Sequence, residues 1–221
     1  MSRRFSGWPV TAFDVLLELD GDPPAAVRED CREDREQLVR APMIALLQDL
    51  ADADDDYDDF TVEGYVSPYY GRWQHQYATI RIARYVAIDL AFDLDGLRLS
   101  ARWWPADADQ RDRYRAAVDD NRSGSELADI VVTLQRRGCR ISGDLMKRTP
   151  RDYCADHPRG ELLRRRSLIC ELPLGCEEWL HTPEVVERVL AAAAELEPLT
   201  SWLATHVALH QPARSGRRLN P

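Results

Sequence analysis

Apolar positions recur along this chain at two different periods, and the changes of period mark its elements. Residues 86–103 alternate. Val86, Ile88, Leu90 and Phe92 share one side of a strand, Leu97, Leu99, Ala101 and Trp103 share one side of the next, and Asp93-Leu-Asp-Gly96 stands between them. Period-two alternation around an Asp-Gly turn predicts an antiparallel hairpin. Shorter runs predict further strands at 60–66, 79–82, 139–142 and 167–172.

Elsewhere the spacing is helical. Pro9 opens a segment through Leu19, with Phe13, Leu16 and Leu17 inward. Asp22-Pro23 starts a helix over 23–40 carrying Val27, Cys31 and Leu38, and Pro42 interrupts it by a kink or a fresh start. The continuation to about Ala51 turns Ile44, Leu47 and Leu50 inward. Asp107 is placed to cap 108–119. Ser123 or Ser125 is placed to cap a helix to Arg137 that buries Leu127, Ile130, Val131 and Leu134, with Gly138 as its stop. Residues 143–160 read as irregular, and 158–166 as a short helix. A long helix begins at Thr182-Pro183 with a stripe running from Val185 to Leu203. Helices, then antiparallel strands, then helices indicate an α+β fold: a central antiparallel sheet flanked by N-terminal and C-terminal helices. One domain is expected over 1–210, followed by a polar, disordered tail at 211–221.

Composition narrows the function classes. Charged residues make up 30% and mean hydropathy is -0.46. No apolar run has the roughly 18 residues that a membrane span needs, and no signal-length apolar segment follows Arg3 and Arg4, so a soluble cytoplasmic chain with no membrane partner is expected. The net charge of -9 argues against nucleic acid as a partner. The charge is uneven, however: residues 1–65 carry a net of -11 and residues 136–166 a net of +6. The five cysteines form no C-x-x-C pair and are expected as free thiols. No phosphate-binding loop, dinucleotide fingerprint, nucleophile elbow or zinc-protease motif is present, and no cofactor is implied.

Candidate chemistry concentrates in one loop. Lys147, Arg148, Arg151, Tyr153 and His157 fall within eleven residues, and Lys147 is the sole lysine beside 28 arginines. Converging guanidinium and ammonium groups suit a phosphate or carboxylate. Tyr153 and His157 are the candidates to orient that ligand or exchange protons with it. The competing structural role has Tyr153 and His157 buried and satisfied, tying the loop to the sheet, while the arginines face water. Arg164-Arg165-Arg166 adds positive charge. Cys154-x-x-His157 has a metal-like spacing but no second ligand pair, so no metal is expected and Cys154 reads as a small buried residue. The acidic run 52–59 lacks the central Gly and closing Glu of a calcium loop and reads as solvated. The aromatic segment 65–77, with Arg72 and His75, suits stacking on bases or sugars, but core and edge cover is the commoner role; Trp103-Trp104 likewise reads as core.

The run Gly143-x-x-x-Lys147-Arg148-x-Pro150-Arg151-x-Tyr153-x-x-x-His157-Pro158-x-x-x-Leu162-Leu163-Arg164 resembles the signature of a bacterial conserved hypothetical family, domain of unknown function 2461. Phe5-Ser-Gly-Trp-Pro9 resembles its opening, Val39-Arg-Ala-Pro-Met43 its kinked second helix, and Thr182 through Leu203 its last helix. Gln76-Tyr77-Ala78-Thr79 stands where the family places Pro-Tyr-Lys-Thr. The resemblance implies an α+β fold and no particular activity. The expected function is binding of a small anionic ligand at the 147–157 loop, with the site lying between that loop and the 65–77 segment. The alternative is a protein–protein interaction module whose acidic N-terminal lobe docks a basic partner, the 143–158 loop being structural.

Overall fold

The computed structural model describes residues 4–64, 73–105 and 107–208. The helices are α1 (Thr11–Glu18), α2 (Ala25–Asp30), α3 (Arg32–Asp34), α4 (Ala41–Ala53), α5 (Ala108–Asp119), α6 (Asn121–Arg136), α7 (Gly160–Leu163) and α8 (Glu184–His206). The strands are β1 (Phe60–Val62), β2 (Gln76–Ala83), β3 (Val86–Asp93), β4 (Gly96–Trp103), β5 (Arg140–Ser142) and β6 (Leu168–Gly175). They form one sheet in the order β1-β2-β3-β4-β6-β5, and every pair is antiparallel. The expected α+β class and central antiparallel sheet are both present. Among the described residues no helix is long and apolar enough to cross a membrane. The expected tail at 211–221 and most of the aromatic segment, 65–72, lie outside the described residues.

The register explains the alternation. Ile88, Leu90 and Phe92 sit opposite Ala101, Leu99 and Leu97, and that face is buried beneath the helices, with α8 laid across β2, β3 and β4. Trp8 stacks on Phe92 at 4.4 Å and Trp103 on Tyr114 at 4.4 Å, so large rings from outside the sheet close both ends of this core. The opposite face is polar and cross-paired. Thr79 donates to Asp89 at 2.8 Å, Arg102 also binds Asp89, and Arg81 reaches Asp59 at 2.6 Å. Such two-faced patterning is what an antiparallel sheet covered on one side produces.

Several expectations need correction. The buried side of α1 is Ala12, Val15 and Leu16, whereas Leu17 is 65% exposed. Residues 35–40 form a π-helical turn that passes directly into α4. Pro42 lacks an N–H and its ring crowds the carbonyl four residues back, and the wider turn relieves both without breaking the helix. The cap of α6 is Asp120, not Ser123 or Ser125: its carboxylate accepts from the amides of Arg122 and Ser123. Ser123 lies inside the helix and donates to Ala117 O at 2.7 Å. Strand β1 ends at Val62 and α7 at Leu163, earlier than the pattern suggested. Trp103 is buried as expected, but Trp104 is 51% exposed because it follows the last strand position. All five cysteines are free, and Cys154 is exposed rather than buried, since its loop lies over the surface.

Candidate functional site

The 143–158 loop leaves the sheet at the end of β5 and returns through α7 to β6. Gly143 makes the departure possible. Its φ is +117°, and a Cβ there would lie 2.5 Å from Ser167 O. The Asp144 amide donates to Ser167 Oγ at 2.7 Å, Met146 N to Arg164 O at 2.8 Å and Arg166 N to Asp144 O at 2.7 Å. These bonds hold the loop's two limbs together and satisfy backbone groups that no regular element would.

The five sequence candidates come together. Lys147, Arg148, Arg151, Tyr153 and His157 line one open groove of about 710 Å³, joined by Arg164 from just after α7. Lys147, Arg148 and Arg151 are exposed. Among the described residues no carboxylate pairs with any of these four cations. The one acidic side chain lining the groove, Glu161, is taken by Arg165 at 2.9 Å. The three arginines in sequence thus part company: Arg164 lines the groove, Arg165 is buried against Glu161 and Ser142 O, and Arg166 faces Asp144 at 3.4 Å.

His157 is held from both sides. Its Nδ1 accepts from the Arg159 amide at 3.0 Å, which leaves the proton on Nε2, 3.3 Å from Asp119 Oδ1. Arg159 in turn donates to Val118 O at 2.7 Å and Asp119 O at 2.8 Å, at the end of α5. His157 and Arg159 therefore tie the far part of the loop to α5, while its first limb stays bonded to Ser167 beside the sheet. Tyr153 is half-buried; burial, with the nearby Asp119 charge, pushes its phenol above the usual range. Among the described residues no group of three His, Cys, Asp or Glu side chains converges to hold a metal.

The described part of the aromatic segment, 73–77, does not join the groove. His75 and Tyr77 lie at the start of β2, beside the β3–β4 turn, where Leu97 lines a different cavity. The groove loop meets the sheet near Leu168, which pairs with Trp103 at the far end of β4. Six residues of strand separate the two places, roughly 20 Å. Trp73 is covered by the Arg28 guanidinium at 4.7 Å, and Tyr77 stacks on His75 at 5.7 Å, so these rings serve internal contacts.

Sequence reasoning missed the cluster around that second cavity. His75 Nδ1 lies 3.1 Å from Asp93 Oδ2 and 3.1 Å from Tyr77 Oη. Arg98 binds Asp93 and approaches Glu171 at 3.6 Å, and Arg140 binds Glu171 as well. Burial disfavours the Asp93 carboxylate, but hydrogen bonds from His75, Arg98 and the Asp95 amide, with the Arg98 charge, outweigh it and bring its pKa to about 2. Asp93 read as a turn residue, and only the strand register places it beside His75. The alternation of charged residues on the outer strand face, Asp89, Asp93, Arg98 and Arg102, was the available signal.

The model of a family described as "Conserved hypothetical protein (DUF2461)" matches residues 70–202, more than half of the chain. The basic-loop signature and most of α8 fall inside that match, whereas Phe5–Pro9 and Val39–Met43 lie before it. No curated protein and no solved structure matches the chain.

Proposed function

This chain belongs to the conserved hypothetical protein family DUF2461, and for it we propose a binding function: the groove over the 147–164 loop takes a small anionic ligand bearing a phosphate or carboxylate. One observation carries this reading. Four cationic side chains surround a single groove without acidic partners among the described residues, while the groove's one acid is already neutralised by Arg165. Most other arginines described here are matched to carboxylates or carbonyls, as on an ordinary solvated surface. Uncompensated cations that share a concave site favour an anion, and guanidinium adds paired N–H donors that fit its oxygens. Lys147, Arg148 and Arg151 hold the ligand in this reading, and Tyr153 forms the half-buried wall. His157 positions the loop. Acid–base work by His157 would first require release of either Arg159 or Asp119.

A thermal-shift panel of nucleotides, sugar phosphates and acyl carboxylates, run on wild type and Lys147→Ala, tests the proposal. A ligand present at about 100 times its Kd stabilises the native state by about 2.7 kcal/mol. A shift in wild type that is lost in Lys147→Ala supports the groove. Equal shifts in both proteins, or none with any phosphate or carboxylate, overturn it.

A second reading rests on the N-terminal lobe. Asp14, Glu18, Asp30 and Asp34 line one surface hollow of about 340 Å³, and no cation among the described residues pairs with them. That surface suits a basic protein partner. Charge reversal there would abolish such a complex and leave the groove's ligand response intact.

A further inference from the structure

The cavity at the other end of the sheet has the opposite pattern of free groups. It holds about 280 Å³ and is lined by His75, Asp93, Asp95, Arg98, Arg140 and Glu171, with backbone from the β3–β4 turn. Both of its cations are committed: Arg98 to Asp93 and Glu171, and Arg140 to Glu171. The charged group there that has no charge partner is an acceptor. The Asp95 carboxylate is exposed and has no cation partner among the described residues.

The second acceptor is a ring nitrogen. A carboxylate with a pKa near 2 only accepts hydrogen bonds, so its 3.1 Å contact places the His75 proton on Nδ1. Tyr77 Oη, also 3.1 Å from Nδ1, accepts from Arg98 Nη2 at 3.4 Å, and the same Nη2 lies 3.5 Å from Nδ1, so the closer Asp93 carboxylate decides the tautomer. Nε2 is left with its lone pair, and no described residue donates to it. The ring is also well anchored. Tyr77 stacks on it, and Arg35, itself buried, donates to His75 O at 2.6 Å from the π-helical turn. A side chain fixed by its tautomer, its stack and its backbone is pre-organised to meet a ligand without losing further freedom.

We propose that this cavity is a second ligand site, for a small organic primary ammonium ion, whose N–H groups donate to His75 Nε2 and to the Asp95 carboxylate. The charges of the lining sum to about -1 when His75 is neutral, which favours a cation over an anion. The site stands independently of the anion groove: the two differ in place, in charge and in the kind of hydrogen-bonding group left free.

Long-range proton–nitrogen NMR of the full chain labelled with 15N-histidine tests it. The untreated protein shows His75 in the Nδ1–H tautomer. Butylammonium moves its Nε2 resonance saturably; inorganic phosphate does not, and neither does tetramethylammonium, which has no N–H to donate. Asp95→Asn, a change at an exposed turn, weakens the butylammonium response by about tenfold. A His75 Nε2–H tautomer, no saturable shift with butylammonium, or an equal shift with tetramethylammonium overturns the proposal.

Discussion

His157 Nε2 stands 3.3 Å from Asp119 Oδ1, so the last turn of α5 holds the groove loop through this imidazole beside the hydrogen bonds of Arg159. Asp119 is about half exposed, and such a contact contributes at most about 1 kcal/mol. Asp119→Ala is therefore expected to leave global stability nearly unchanged while the 147–157 loop opens more often. Limited proteolysis within the loop reads this directly: cleavage faster than in wild type, at equal melting temperature, is the expected result.

Gly143 allows the loop's sharp departure from β5. An added Cβ meets Ser167 O and must adopt a φ of +117°, so Gly143→Ala is expected to cost about 1–3 kcal/mol in urea denaturation. An unchanged midpoint would mean that the loop leaves the sheet by another path.

Asp93 gives the fold an acid limb. A carboxyl that titrates near 3.8 in the unfolded chain and near 2 in the native state is protonated first in the unfolded chain as pH falls. Its contribution is present above about pH 4 and is lost between about pH 4 and 2, about 2 kcal/mol in all. Asp93→Asn is expected to be less stable at neutral pH, because Arg98 and His75 lose their shared partner, and to lack this loss on acidification. Urea midpoints of both proteins across that range measure it.

Arg35 donates to Trp73 O, His75 O and the Gln76 side chain from a buried position. Arg35→Met leaves these acceptors without a charged donor and is expected to cost about 2–3 kcal/mol. In NMR spectra the largest shifts should fall at His75 and Gln76.

The sheet was readable where one face is apolar. Alternation from Val86 to Trp103 marks residues that lie under α8, and the Asp-Gly turn fixed the pairing. The groove was readable for a different reason: its five candidates are neighbours in sequence, so a short loop brings them together whatever the rest of the chain does. The His75–Asp93 cluster has no such local signature. Its members come from the start of β2, the end of β3, β4, β5 and β6, and only cross-strand register makes them neighbours. The Asp120 cap was hidden by equally suitable serines a few residues on, and Cys154 was misjudged because burial depends on what packs over a loop.

Titration of wild type and of an Arg148→Glu/Arg151→Glu variant with inorganic phosphate, followed at the Tyr153 and His157 NMR resonances, tests the anion groove most directly. A saturable shift in wild type that weakens with added salt and disappears in the variant is predicted. No shift in wild type, or the same shift in both proteins, would contradict it.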